Sequence, residues 1–293
     1  MNENNCLNKN AVITVGADGS KQYRSVNDAV THAYELEKDG SSVTIKVYPG
    51  VYREVVRIKD GHRISIIGTD KENCILRDDS GEYDNAPLMI LGDGSVKNLT
   101  IIATHRDNRD FMSTRTDDYK IGSYALHIDG FPYNVDYPRT LTVENCLLYS
   151  EQNAAVGIGM QKNFTLIIKN CEMIKNMPDE LYEICPNESD KGAFLIHRAF
   201  INKVTANGEY IPTSQRFVMD SCRVAVNRGY AMQLCPNRES IHGMSTCYVN
   251  NTIESGTNPP DNMITTFAEG YEISPESTGN NICTLNCRKD EEN

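Results

Sequence analysis

The sequence predicts an all-β domain built as a stack of similar coils, and three observations carry that prediction. The phrase TLTVENCLL recurs as TLIIKNCEM, with Cys146 and Cys171 in matching places about 25 residues apart. It returns as RFVMDSCRV around Cys222 and as GMSTCYV around Cys247, so the register comes back after two periods and then one. A period of this size marks stacked repeats, each too small to bury its own apolar face. Beyond residue 40 the apolar residues alternate with a period of two in short runs. The composition agrees: Asn, Ser, Thr and Tyr are common and Trp is absent, which suits strands separated by turns.

At 293 residues, with 39% apolar residues, the chain fits one elongated repeat domain. The expected layout is a loosely attached N-terminus over residues 1–10, the stack over 11–275 and a tail over 276–293. The net charge of −11 argues against nucleic-acid binding, which needs clustered Lys and Arg, and repels polyanions at long range. Of the ten cysteines, Cys146, Cys171, Cys222 and Cys247 share one repeat position and are expected as buried, stacked thiols. Cys185, Cys235, Cys283 and Cys287 fall in loops or near the end, where pairing is open to them. None forms a CxxC, and no His stands near Cys283 and Cys287 to suggest zinc. No run of about 18 apolar residues exists, so no membrane span is expected. MNENNCLNKN has no apolar core of a secretory signal. The expectation is either an intracellular chain or a secreted one whose signal has been removed.

In chain order, AVITV (11–15) reads as a strand and GADGSKQY as a turn. SVNDAVTHAYELEK follows, with apolar residues at Val26, Ala29, Val30, Ala33 and Leu36 or Tyr34. That is helical spacing; Ser25 is a good N-cap and Gly40 a good stop. VTIKVY, VVRI, RISIIG and CIL are then strands broken by PGVY, KDGH and GTDKEN.

The ordered set VGADGSKQYRSVNDAV, IKVYPGVYRE (Ile45 to Glu54) and ISIIGTDKENCIL (Ile64 to Leu76) resembles the opening of the pectin methylesterases. The resemblance spans roughly 80 residues and implies a single-stranded right-handed parallel β-helix of the pectin-lyase type, with the early helix capping one end. A cap is physically required, because a stack of strands ends in an apolar face and unpaired edges.

Further on, PLMILGDGSVKNLTIIA (87–103) gives another coil. A polar loop over residues 104–122 follows, then SYALHI (123–128), the loop DGFPYNVDYPR, and an insertion at 175–191 before GAFLIH (192–197) and GYAMQL (229–234). Long loops on a solenoid commonly build its binding face. In the first loop His105, Arg106, Arg109, Arg115 and Lys120 alternate with Asp107, Asp110, Asp117 and Asp118, which reads as a solvated mixed-charge surface. SYALHI, NAAVGIG, GAFLIH and GYAMQL take the same place in successive coils. With Leu126, Val156, Phe194 and Met232 pointing inward, alternation turns Ala125, His127, Asn153, Ala155, Gly157, Ala193, Leu195, His197, Ala231 and Gln233 outward as one stripe.

In the family this chain resembles, that stripe is the active site. Its mechanism needs a carboxylate nucleophile, a carboxylate acid/base, an Arg to hold the nucleophile charged, and Gln side chains for the oxyanion. The family's Gln-Asp-Thr-Leu motif follows the coil cysteine and matches Gln152 and Asn153, so Gln152 is kept and Asn153 replaces the carboxylate. The Asp-Phe-Ile-Phe-Gly motif best matches Ala193 to His197, so Ala193 replaces the second Asp. If that second alignment slips, Asp179, Glu180, Glu183 or Asp190 can supply an acid. The upstream Gln falls near Gly122 or Ser123, and the Leu-Gly-Arg-Pro-Trp motif has no counterpart.

No catalytic residue is therefore assigned; Gln152, His127 and His197 are the candidates. Gln152, Asn153, His127, His197, Gln233, Arg198, Arg228 and Tyr124 are the candidate substrate-binding set. Tyr133, Tyr137, Tyr182 and Tyr230 join Tyr124 as rings able to stack on sugars. Two histidines on neighbouring coils suit acid/base chemistry or a metal, but the sequence offers no evident third ligand, and no metal or cofactor is expected. The implied function is polysaccharide recognition by a pectinesterase-like β-helix with the catalytic Asp pair and Arg replaced. Two alternatives stay open: an active carbohydrate esterase using relocated residues, and a structural or adhesive β-helix of a phage tail or cell surface.

Overall fold

The computed structural model of the protein describes residues 10–37, 42–59, 61–79, 86–104, 124–129, 138–160, 163–184, 192–199, 207, 215–234, 244–259, 263–266 and 278–284. Strand β1 (Asn10–Val15) opens the stack and helix α1 (Val26–Glu37) follows. The first full coil holds β2 (Ser42–Val47), β3 (Gly50–Arg53) and β4 (Val56–Ile58). The second holds β5 (Arg63–Gly68), β6 (Cys74–Asp78) and β7 (Leu88–Ile90), the third β8 (Asp93–Lys97), β9 (Thr100–Ala103) and β10 (Leu126–Ile128). The fourth comprises β11 (Arg139–Glu144), β12 (Leu147–Ser150) and β13 (Val156–Met160). In the fifth, β14 (Phe164–Lys169) and β15 (Glu172–Lys175) precede the short helix α2 (Asp179–Ile184) and β16 (Phe194–Ala199). The sixth holds β17 (Gln215–Asp220), β18 (Arg223–Val226) and β19 (Met232–Leu234). The last holds β20 (Met244–Val249), β21 (Thr252–Ser255) and β22 (Ile264–Thr266), after which β23 (Asn281–Thr284) pairs with β21. That strand lies in the stretch expected as tail.

First, second and third strands of each coil stack on their counterparts to give, among the described residues, three parallel sheets of eight, eight and seven strands. The chain is an all-β parallel β-helix. Alternation places one side of every strand inside: Phe164, Leu166 and Ile168 of β14 stack beneath Phe217 and Met219 of β17, all buried. The inward set forms one continuous core from Ile13 to Met263. Burial of such a ladder is the main stabilising term, at about 1.5–3 kcal/mol per large apolar side chain.

The repeated phrase has a geometric meaning at the corner between the first and second sheets. Asn98, Asn145, Asn170, Ser221 and Asn250 all take positive φ, between 52° and 56°. Asn tolerates this left-handed conformation better than most residues, which is why it precedes the cysteine so often. Each corner amide donates to the next coil: Asn145 N to Lys169 O at 3.0 Å and Asn170 N to Asp220 O at 3.0 Å. Behind the corner Cys74, Leu99, Cys146, Cys171 and Cys222 form a buried inward row. Contacts with the Cys146 and Cys222 sulfurs, together with burial, hold the Cys171 thiol well above the usual cysteine range.

Two expectations about this row are corrected. Cys247 is not in it: it pairs with Val218 inside β20 and is partly exposed. The place belongs to Asn251, which accepts from Cys222 N at 2.9 Å and donates to Met219 O at 3.0 Å. The interval from Cys171 to Cys222 is one coil, because β14 pairs directly with β17; the insertion carrying α2 lengthens it. Cys185, Cys235 and Cys287 lie outside the described residues.

Helix α1 buries Val26, Ala29, Val30 and Ala33 over the start of the stack. Ser25 caps it, accepting from Asp28 N at 3.2 Å. Glu54, the last residue of PGVYRE, completes the cap: its carboxylate accepts from Val26 N (2.8 Å), Asn27 N (3.0 Å) and Ser25 Oγ (2.6 Å). At the far end Glu37 accepts from Arg63 N at 2.5 Å. No described helix is long and apolar enough to cross a membrane.

Candidate functional site

The third sheet brings β7, β10, β13, β16, β19 and β22 side by side in register. Leu126, Val156, Phe194 and Met232 align and point into the core, as the sequence implies. His127, Gly157, Leu195 and Gln233 align on the opposite side. That side is not an open stripe, however. His127 is 4% exposed and Leu195 5%, and Leu195, Tyr124, Ala154 and Ala86 make a second apolar cluster.

Local sequence brings the two histidines together although a whole coil separates their strands. Strand β13, between them, reads VGIGM. A Cβ on Gly157 would stand 2.4 Å from Cε1 of Tyr124, and one on Gly159 would stand 2.5 Å from Oδ1 of Asp129. The two glycines thus leave the room that Tyr124 and Asp129, from the coil below, occupy. On the other flank β16 carries a bulge: Ile158 pairs with Ile196 but Gly159 pairs with Arg198, leaving His197 as the extra residue. A bulge re-aims a side chain. Here Nε2 of His197 sits 3.2 Å from Nε2 of His127. Oδ2 of Asp129 is 3.9 Å from each of these nitrogens. The Tyr124 ring lies 4.5 Å from the His127 ring and 6.0 Å from that of His197.

The sequence reading missed Asp129. Its signal was present: His127 and Asp129 are two apart at the end of a strand, and so share a face. The other candidates scatter. Gln152 and Asn153 stand at the corner leading into β13, whereas the histidines flank its middle. Both are buried, at 2% and 1% exposure. Asn153 Oδ1 accepts from Ala154 N at 2.9 Å, while Oε1 and Nε2 of Gln152 meet no hydrogen-bond partner among the described residues. Ala193, also buried, accepts from Val156 N at 3.0 Å, so it stands one coil above that same corner. Gln233 is half-buried beside Leu195. Arg228 is held elsewhere: it donates to Asp179 Oδ1 at 2.5 Å and lies 4.3 Å over the Tyr182 ring, both on α2. Glu180 and Glu183 are exposed on that helix. The Arg198 side chain, Asp190, Tyr133, Tyr137 and the loop over 105–122 lie outside the described residues.

No family model matches the chain. An Arabidopsis thaliana protein named "Putative pectinesterase/pectinesterase inhibitor 38" is 25% identical over 210 residues, which are 64% of this chain and 42% of that protein. The chain therefore spans less than half the length of the curated relative it matches. Among solved structures, ybhC of Escherichia coli superposes with a TM-score of 0.50 at 12% identity, covering 94% of this chain and 83% of that one. The deglycosylated pectin methylesterase of Aspergillus niger gives 0.48 at 14% identity, covering 94% and 91%. The chain is pectinesterase-like.

Proposed function

We propose that this protein binds a polysaccharide of the cell-wall type and does not hydrolyse its methyl esters. One observation carries the reading. At the two places where the resemblance implies a catalytic carboxylate pair stand Asn153 and Ala193, on neighbouring coils of the third sheet. An amide is no carboxylate nucleophile at neutral pH, and a methyl group exchanges no proton. Of the polar and aromatic neighbours, His197 and Gln233 are the glycan-facing candidates, whereas Gln152, Tyr124 and His127 are buried. His197 and Gln233 retain exposed surface and would meet a glycan first.

The test is affinity electrophoresis through gels carrying polygalacturonate or methyl-esterified pectin, with methanol release measured on the same samples. Retarded migration without methanol is expected, with Gln233→Ala reducing the retardation. Methanol release above a heat-killed control would overturn the loss of esterase chemistry and favour relocated catalytic residues. A second reading, a structural or adhesive β-helix, draws on the burial of the third sheet's outer side. Unretarded migration in every polysaccharide would favour it.

A further inference from the structure

We infer that His127, Asp129 and His197 form a binding site for a divalent first-row transition ion of the zinc class. The three atoms are gathered as a ligand set: Oδ2 of Asp129 stands within ion-pair range of both Nε2 atoms, at 3.9 Å from each, and those nitrogens are 3.2 Å apart, at hydrogen-bond distance. A triangle with sides of 3.2, 3.9 and 3.9 Å has a circumscribed radius of about 2.1 Å, and zinc bonds imidazole nitrogen and carboxylate oxygen at about 2.0–2.2 Å. One point therefore lies at bonding distance from all three atoms without moving any of them.

The surroundings fit the same purpose. The histidines are 5% and 18% exposed at their side chains and the carboxylate 14%, so the centre is sheltered yet reachable. Three elements are needed to build it: the strand end that carries His127 and Asp129, the glycines of β13, and the bulge of β16. Two imidazoles with one carboxylate leave further coordination positions open, as in metal sites that take up water or an oxygen ligand. The site stands apart from the corner holding Gln152, Asn153 and Ala193, and it does not depend on polysaccharide binding.

The experiment uses the full chain, stripped with EDTA and dialysed against Co2+ or Zn2+ without polysaccharide. Ion content, the visible Co2+ spectrum and Tm are the readouts. One ion per chain is expected at this site, with a Co2+ ligand-field spectrum free of a thiolate charge-transfer band and a Tm that rises with ion concentration. Asp129→Asn and His197→Ala should each weaken binding by about 100-fold or more, since loss of mere supporting contacts already costs about 10–100-fold. His32→Ala, on the exposed face of α1, should bind as the parent does. Far-UV circular dichroism of the ion-free variants establishes that they fold. Should either variant not fold, the parent's spectrum and Tm response decide. No uptake, uptake with only a thiolate signature, an unmoved Tm, or undiminished binding in both folded variants would each overturn the site.

Discussion

A methyl group added at Gly157 would lie 2.4 Å from Cε1 of Tyr124, 2.5 Å from Cδ1 and 2.8 Å from Cζ. The obstacle is a rigid ring wedged beside His127, so it cannot give way by a simple rotation. Gly157→Ala is expected to cost about 1–3 kcal/mol, the usual range for overpacking, and to shift Tyr124 away from the two histidines. Urea denaturation measures the first effect. The near-UV circular dichroism of the tyrosines reports the second, and an unchanged spectrum would contradict the packing described. At this scale the sequence was legible in part. The alternation of SYALHI and GAFLIH identified His127 and His197 as outward residues. It did not reveal that they touch, because contact depends on two absent side chains and one extra residue, and a strand pattern read with strict period two contains neither. Nor did it show that His127 is buried, since burial there comes from neighbours distant in sequence.

Among the elements, α1 was the most readable and its anchoring the least. Apolar spacing and Ser25 fixed where the helix begins. The acceptor for its first amides is Glu54, which stands beyond the next strands and is visible in sequence only as the end of the PGVYRE phrase. A carboxylate at a helix N-terminus is stabilising both by hydrogen bonding and by the helix dipole. Glu54→Ala is expected to cost about 1–2 kcal/mol, and Glu54→Gln less, because the amide oxygen still accepts. Chemical denaturation of the pair checks the order; equal losses would mean that packing, not capping, is the role of Glu54. The coil count shows the opposite weakness. A constant cysteine spacing was a sound signal for the fourth and fifth coils, but an insertion stretched one coil and a strand cysteine imitated the motif in the last. Spacing measures chain length, whereas the ladder is defined by pairing.

Taken whole, the molecule has two unlike ends. At the N-terminal end α1 lays an apolar face over the core. At the other end Met232, Leu234, Tyr248, Ile253, Ile264 and Ile282 line an apolar hollow, and Ile282 is 38% exposed. In a stack where each coil touches only its neighbours, the end that is less covered among the described residues should open first. The row of thiols offers a built-in reporter. Native-state alkylation followed by peptide mass spectrometry is expected to label Cys247 and spare Cys74, Cys146, Cys171 and Cys222. In rising urea Cys222 should become reactive before Cys74. Simultaneous labelling of the row would indicate a single cooperative unit instead. The fold as a whole was predicted because its signals repeat and reinforce each other, and a site assembled once, from three coils, has no such redundancy.

The corner occupied by Asn98, Asn145, Asn170, Ser221 and Asn250 has a consequence for how such a molecule can change. All these coils turn there within the same short step, while the other junctions accommodate insertions of very different length. The protein is bound like a book along one edge, with leaves of unequal width. Leaves can be widened, trimmed or rewritten at the free margins without loosening the binding. New surfaces, and with them new ligands, can therefore arise on an unchanged spine.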